Sequence, residues 1–229
     1  MKQSAHGKSL TVSILSLSLL TVMAGAAVAP ALGVIQAHFS SSNQLFIQMI
    51  ISVPALFIVI TNFIFPRLCR VFGAKTLVMI GLLLYTVGGC AAGLFDNIFV
   101  VLIMRAFVGI GVGIIMPLST GLLSFYFSPE EQAGLMGHSS AMNQMGGVVA
   151  TLLSGLLANI SWRVSFLIYL MGLISIVLCL IYLPNDKITQ EGPAEEESAK
   201  EGTAGIFRAN IVYILAMFLL MSIFFIYPA

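Results

Sequence analysis

A chain of 229 residues that is 59% hydrophobic, 8% charged and of net charge +1 lies far from the about 25% charged residues of ordinary soluble domains. So even a charge balance offers no basis for binding nucleic acid. Apolar runs of about 20 residues, enough for a helix to cross a hydrocarbon core, recur between short polar gaps. Backbone groups cannot go unpaired in lipid, so the composition implies an all-α, polytopic membrane helix bundle.

In chain order, seven spans are predicted, roughly 10–36, 44–66, 75–95, 97–126, 130–158, 162–183 and 209–228. The basic start, MKQSAHGKSL, precedes an apolar run that is too long for a cleaved secretory signal, so the run is read as a retained first span. The loop after the second span carries Arg67, Arg70 and Lys75. SPEEQ, Ser128–Gln132, has the spacing of a capping box and marks a helix start without chemistry. PNDKITQEGPAEEESAKEGTAGIFR reads as a solvated linker. The organisation is thus a six-helix bundle over 1–183, a linker over 184–208 and the first helix of an incomplete further half over 209–229. Lys and Arg gather at the N-terminus, in the second loop and in the linker, whereas the opposite loops hold only Arg163. The positive-inside rule then puts the N-terminus in the cytoplasm of a plasma (inner) membrane protein. One internal echo joins AGAAVAPALG in the first span, with Pro30, to GVGIIMPLSTG in the fourth, with Pro117. Proline-interrupted spans in matching positions of inverted repeats point at a transport site.

Arg105 stands inside VVLIMRAFVGIGVGIIM. An arginine at mid-bilayer costs at least about 2.5–3.5 kcal/mol and must face protein or a wet cavity. Arg105, Gly109, Gly113, Pro117 and Gly121 recur four apart, a ridge that lets another backbone come close. Two readings stand: a group for an anionic substrate or a proton site, and a structural arginine bonded to carbonyls of an adjacent helix. GIGVG follows no strand and is not a dinucleotide fingerprint. In the fifth span Ser139, Asn143, Gly147, Thr151 and Gly155 form one small-residue ridge, and Gly146, Ala150 and Ser154 a second beside it. His138, Asn143 and Gln144 are polar at depth. His138 is the imidazole within a span that could titrate near neutral pH, although a packed neutral histidine is the simpler reading. No Asp or Glu lies at depth in spans one to six, and Cys69, Cys90 and Cys179 have no paired or metal-type spacing. Nothing in the sequence forms a nucleophile–base set, a metal cluster or a phosphate loop, so neither enzyme chemistry, a metal nor a cofactor is expected.

Three motifs, in order on the second, fourth and fifth spans, resemble those of the major facilitator superfamily of secondary transporters. PRLCRVFGAKTLVMIG is similar to the signature G-x-L-a-D-r-x-G-r-k: Leu68, Gly73 and Lys75 match, Pro66 replaces the first glycine and Arg70 replaces the aspartate. The resemblance implies a gate loop at Arg70, Gly73 and Lys75 that lacks the carboxylate of the family's cytoplasmic latch. LIMRAFVGIGVGI resembles R-x-x-x-G-x-G through Arg105, Gly109 and Gly111, and in proton-linked relatives this arginine is implicated in coupling. ATLLSGLLANISWRVSF resembles the exporters' G-P-x-x-G-G and W-R-x-x-F through Gly155, Trp162, Arg163 and Phe166, with Ala150, Thr151 and Ser154 in place of Gly, Pro and Gly.

The resemblance implies an N-terminal six-helix half plus the seventh helix of a carrier working by alternating access. The carrier would export drug-like or metabolite compounds, with protons as a coupling ion. Its expected partners are the lipid bilayer, a small-molecule substrate and the missing C-terminal half, and the chain is expected to be truncated. Candidate lining or coupling residues are Gln36, Gln48, Asn62, Tyr85, Arg105, His138, Asn143 and Gln144. The competing expectations are a non-transporting fragment or interaction subunit, and a seven-helix receptor, which the loop motifs and the long gap after the sixth span disfavour.

Overall fold

The computed structural model describes residues 3–40, 42–186 and 211. The expected seventh span and nearly all of the expected linker lie outside the described residues. The described residues contain no strand, and Met1–Ile188 forms one compact unit. Six of its helices are long and apolar enough to cross a membrane: Lys8–His38, Gln44–Val71, Ala74–Ala92, Ile98–Tyr126, Pro129–Ala158 and Trp162–Tyr182. The protein is an integral membrane protein of α-helices.

Local chemistry sets the span starts. The side chain of Asn43 accepts the Leu45 N–H at 3.0 Å, and that of Asn97 accepts the Phe99 N–H at 2.9 Å. The carboxylate of Glu131 reaches back to the Ser128 N–H at 3.3 Å. Each bond satisfies an amide that an isolated helix end leaves without a partner. The second span does not stop near Pro66. It runs on to Val71, because a proline removes only one ladder bond and the helix bridges it; Arg67 and Arg70 thus ride on the last turns of a helix rather than in a loop.

The first span is not one helix. It is helical over Gln3–Ala26, turns at Ala27 and Val28, passes through a 3-10 turn at Ala29–Ala31 and resumes at Leu32–His38. Pro30 has no N–H for the Ala26 carbonyl, and its ring crowds that carbonyl. The fourth span carries Pro117 and stays continuous over Ile98–Tyr126. The expected echo therefore extends to composition but not to backbone shape. The difference lies in the neighbours: side chains from three other spans take the carbonyls released in the first span, whereas among the described residues none from another span bonds those just before Pro117.

The fourth span is the hub, packing on the first, second and third; the fifth packs on the first, and the sixth on the first and third. Glycines permit these approaches. A Cβ on Gly109 would lie 2.5 Å from the Pro54 carbonyl oxygen, and one on Gly111 2.6 Å from that of Gly81. The expected ridge holds at Arg105, Gly109 and Gly113 and ends there, since a Cβ on Gly121 would meet nothing within 4 Å. On the fifth span, the seam against the first draws from both expected ridges. Ser139 bonds Ser18 at 2.7 Å, Asn143 accepts from Thr21 at 2.6 Å, Ala150 is fully buried, Gly146 abuts the Leu19 carbonyl and Ser154 reaches Ala27. Mixing a step of three with steps of four follows the 3.6-residue period more closely than steps of four alone. Gly147 still abuts Val22 of the first span, a Cβ there lying 3.0 Å from Val22 Cγ1, and Thr151 is left exposed.

Candidate functional site

Arg105 is fully buried and is the largest of the fully buried side chains among the described residues. Its Nε donates to the Ile50 carbonyl at 3.0 Å, its Nη2 to the Ala24 carbonyl at 2.8 Å, and its Nη1 to the Tyr169 hydroxyl. Tyr169 in turn donates to the Ala24 carbonyl at 2.8 Å. Both carbonyls are available for a reason written in the sequence. Ile50 stands four residues before Pro54, so its helical donor is missing. Ala24 would accept from the Val28 N–H in an unbroken helix, but at the break that N–H turns to Gly25 at 3.4 Å. One guanidinium thus closes acceptors on two other spans and bonds a hydroxyl on a third. Its planar fork suits this where a single ammonium would not. Hydrogen bonding compensates the burial of the cation with no carboxylate in contact.

Beside the break lies a groove of about 430 Å³, lined by Ala26, Gln144, Gly147, Val148, Thr151 and Leu152. Its volume falls in the range of small-molecule sites, about 300–1,000 Å³. The Thr151 hydroxyl donates to the Gly147 carbonyl at 2.8 Å. Of the expected lining residues, the groove includes Gln144. Asn143 is half-buried next to it with its oxygen engaged by Thr21. His138 is exposed further along the same helix, its Nδ1 donating to the Gly134 carbonyl at 2.7 Å. Gln36, Gln48 and Asn62 are exposed on the first and second spans and are not gathered with Gln144. Tyr85 is fully buried, its ring set edge-on to Tyr169 at 5.1 Å and its hydroxyl without a partner among the described residues.

At the other elements' ends, the gate-loop residues meet the sixth span. Lys75 donates to the Leu180 carbonyl at 2.7 Å, and a Cβ on Gly73 would lie 2.9 Å from Asn185 Oδ1. The Ala74 N–H donates to the Asp186 carbonyl and the Tyr126 hydroxyl to its carboxylate, each at 2.9 Å. Arg70 is exposed on the last turn of the second span. At the opposite ends of the spans, Asp96 accepts from Arg163 and, at 3.1 Å, from His38, which lies against Trp162 with ring centroids 5.0 Å apart. The hydrogen bond from Arg163 holds the Asp96 carboxyl below the usual carboxylate range against desolvation, with a smaller contribution from the His38 hydrogen bond.

Sequence reasoning named Ser154 only as a packing residue and missed Tyr169, Asp186 and the His38–Asp96–Arg163 cluster. The available signal for Tyr169 was a lone hydroxyl within an apolar run. For the Asp96 cluster it was three polar residues at three predicted span ends.

A model of the Major Facilitator Superfamily matches residues 14–229. The chain is 23% identical over 151 residues to the riboflavin transporter RibZ of Clostridioides difficile, covering 65% of this chain and 33% of that one. It is 26% identical over 121 residues to multidrug resistance protein 3 of Bacillus subtilis, covering 52% and 24%. Its fold superposes on a bacterial homolog of the human lysosomal transporter Spinster with a TM-score of 0.69 at 18% identity, covering 90% of this chain and 49% of that chain. The matched stretch is thus a third or less of those two curated relatives and about half of the solved one. With the family model covering nearly the whole chain and the six-span architecture agreeing, the chain belongs to the Major Facilitator Superfamily.

Proposed function

We propose that this chain supplies the six-helix half, residues 1–183, of a secondary carrier that moves a small molecule by alternating access, with residues 184–208 as a cytoplasmic linker to a second unit that begins with the helix at 209–229. The observation that carries the reading is the joining, through Arg105, of the broken first span to the second, fourth and sixth spans next to an open groove. Carriers place substrates at such discontinuous helices near mid-membrane. Arg105 acts here as the fastener of the groove's backbone wall, and Gln144 and Thr151 as its polar lining. The names of the relatives, a riboflavin transporter and a multidrug resistance protein, support a drug-like or metabolite cargo, which in this reading moves outward across the plasma membrane. The basic inner loops support a cytoplasmic N-terminus. The described spans hold no carboxylate at depth, so a proton relay within this half would use His138; a relay in the second unit and coupling to another ion are the alternatives the flux test separates.

The test is flux of a panel of drug-like compounds and vitamins into inverted vesicles under an imposed pH gradient, at matched expression. Arg105→Ala should lower flux by at least about tenfold, the effect expected from losing bonds to a charged group, with membrane insertion unchanged. His138→Gln should remove the dependence on the gradient. Equal flux in wild type and Arg105→Ala would refute the role of Arg105, gradient-driven flux in His138→Gln would refute that of His138, and no flux of any compound would leave a non-transporting membrane protein.

A further inference from the structure

The break divides the first span into two parts that are held very differently. The part before it is fastened by three other spans: Ala24 accepts from Arg105 and Tyr169, and Ala27 from the Ser154 hydroxyl. The part after it, Leu32–His38, is short and mostly exposed, with Ile35 its one buried side chain. Phe39, just past its end, is buried against Trp162 with ring centroids 5.4 Å apart. Among the described residues, one polar contact ties the side chains of Leu32–His38 to the rest of the bundle: His38 Nε2 donates to Asp96 Oδ1 at 3.1 Å. Between the two parts lies the turn Ala29–Ala31, in which Pro30 offers no N–H. A short 3-10 stretch within a helical span is a natural hinge.

The contact at the far end of the segment is built from scarce material. Residues 9–66, 76–129 and 139–185 contain four residues of the Asp, Glu, Lys, Arg and His types. Arg105 lies at depth. The other three, His38, Asp96 and Arg163, come from the end of the first span, the turn between the third and fourth, and the start of the sixth, and they meet. Asp96 accepts from both His38 and Arg163. Trp162 lies against both donors, with the His38 ring centroid 5.0 Å and Arg163 Cζ 5.4 Å from its own. Trp162 is itself buried and packs edge-on to Phe39 and Phe166. The three charged or polar side chains are each about half exposed, so water screens the attraction and the contact is easily broken.

We propose that Leu32–His38 is a flap, hinged at Ala29–Ala31 and clasped to the third-to-fourth turn and the sixth span through His38, Asp96 and Arg163 over Trp162. Opening uncovers Ile35 and Trp162, while the part of the span before the break stays fastened through Arg105. The flap goes beyond the carrier reading, and its test needs no flux.

The test uses the full chain in nanodiscs, where both faces of the membrane can be reached, with a charged maleimide as probe. Ile35→Cys reports the flap, and Leu20→Cys, buried before the break, reports the rest of the span. Label taken by Cys69, Cys90 and Cys179 is measured on the chain without a reporter and subtracted. Asp96→Ala and His38→Ala should each raise the labelling rate of Ile35→Cys about two- to fivefold, the range open to a half-exposed ion pair, and leave that of Leu20→Cys unchanged. Asp96→Glu keeps a carboxylate and should label more slowly than Asp96→Ala. The double variant should match the faster single one, because both remove the same clasp. Acrylamide quenching of Trp162, the only tryptophan, needs no added cysteine and should rise with Asp96→Ala. Unchanged labelling of Ile35→Cys, unchanged quenching, an equal rise at Leu20→Cys, or additive single variants would each overturn the flap. Flux with an unresponsive flap removes the flap and leaves the carrier; a responsive flap without flux does the reverse.

Discussion

Adding one methyl group at Gly109 should separate the second and fourth spans, and the structure fixes the size of the effect. A Cβ there would stand 2.5 Å from the Pro54 carbonyl oxygen, 2.8 Å from Pro54 Cα and 2.9 Å from Phe57 Cβ. Ordinary contacts lie at about 3.5–4.0 Å, so the helices must part by roughly 1 Å. Two of the three obstructing atoms are backbone of a proline, which cannot rotate away. Overpacking of this kind costs about 1–3 kcal/mol. Parting the helices also stretches the 3.0 Å bond from Arg105 to Ile50, one turn from the contact, at a further cost of about 1–2 kcal/mol. The better helix propensity of alanine returns about 0.5–1 kcal/mol. A net loss of about 2–4 kcal/mol corresponds to a fall in unfolding temperature of roughly 5–15 °C for a chain of this size. Gly121→Ala, on the same helix with nothing within 4 Å of its Cβ, gains the propensity term alone and should unfold at or slightly above the wild-type temperature. Thermal unfolding in detergent, followed by the fluorescence of Trp162, the only tryptophan, reads both variants. Unfolding of Gly109→Ala within about 2 °C of wild type would refute the close-packing argument.

Tyr169→Phe should destabilise by about 1–3 kcal/mol, since it removes the acceptor for Arg105 Nη1 and a donor to Ala24 in a dry core. Tyr182→Phe, on an exposed ring in the same span, serves as its control, and equal unfolding of the two variants would refute the fastener. Asp96→Asn tests the carboxylate shared by His38 and Arg163. Its folded-state value is lowered by the hydrogen bond from Arg163, so its stabilising contribution is complete above the unfolded value, about pH 4, and is lost as pH falls through the lower folded value. The difference between wild type and Asp96→Asn should therefore be present at pH 7 and shrink on acidification below pH 4. A difference that grows on acidification would reverse the sign of the argument.

The positions of the six described spans were legible because lipid imposes one rule on every residue in them: about 20 apolar side chains on a self-satisfied backbone. The ridge at Arg105, Gly109 and Gly113 was legible too, since helical spacing alone puts those residues on one face. Helix ends at prolines were not, because Pro66 and Pro117 are bridged and Pro30 is not, and the difference between Pro30 and Pro117 lies in neighbours far away in sequence. For Arg105, the sequence posed the question of a buried cation, and even held half the answer in the spacing of Ile50 and Pro54.

What the sequence determined by itself was therefore the solvent, the secondary structure and the family-like order of motifs, all of them short-range properties of residue type and spacing. Only the tertiary structure decided where the freed carbonyls of the first and second spans find their donors, because Arg105, Ser154 and Tyr169 come from helices 55 to 145 residues away along the chain. It also decided which polar residue of the fifth span faces the groove, because Asn143 and Gln144 are neighbours in sequence and a single residue step along a helix sends them about 100° apart.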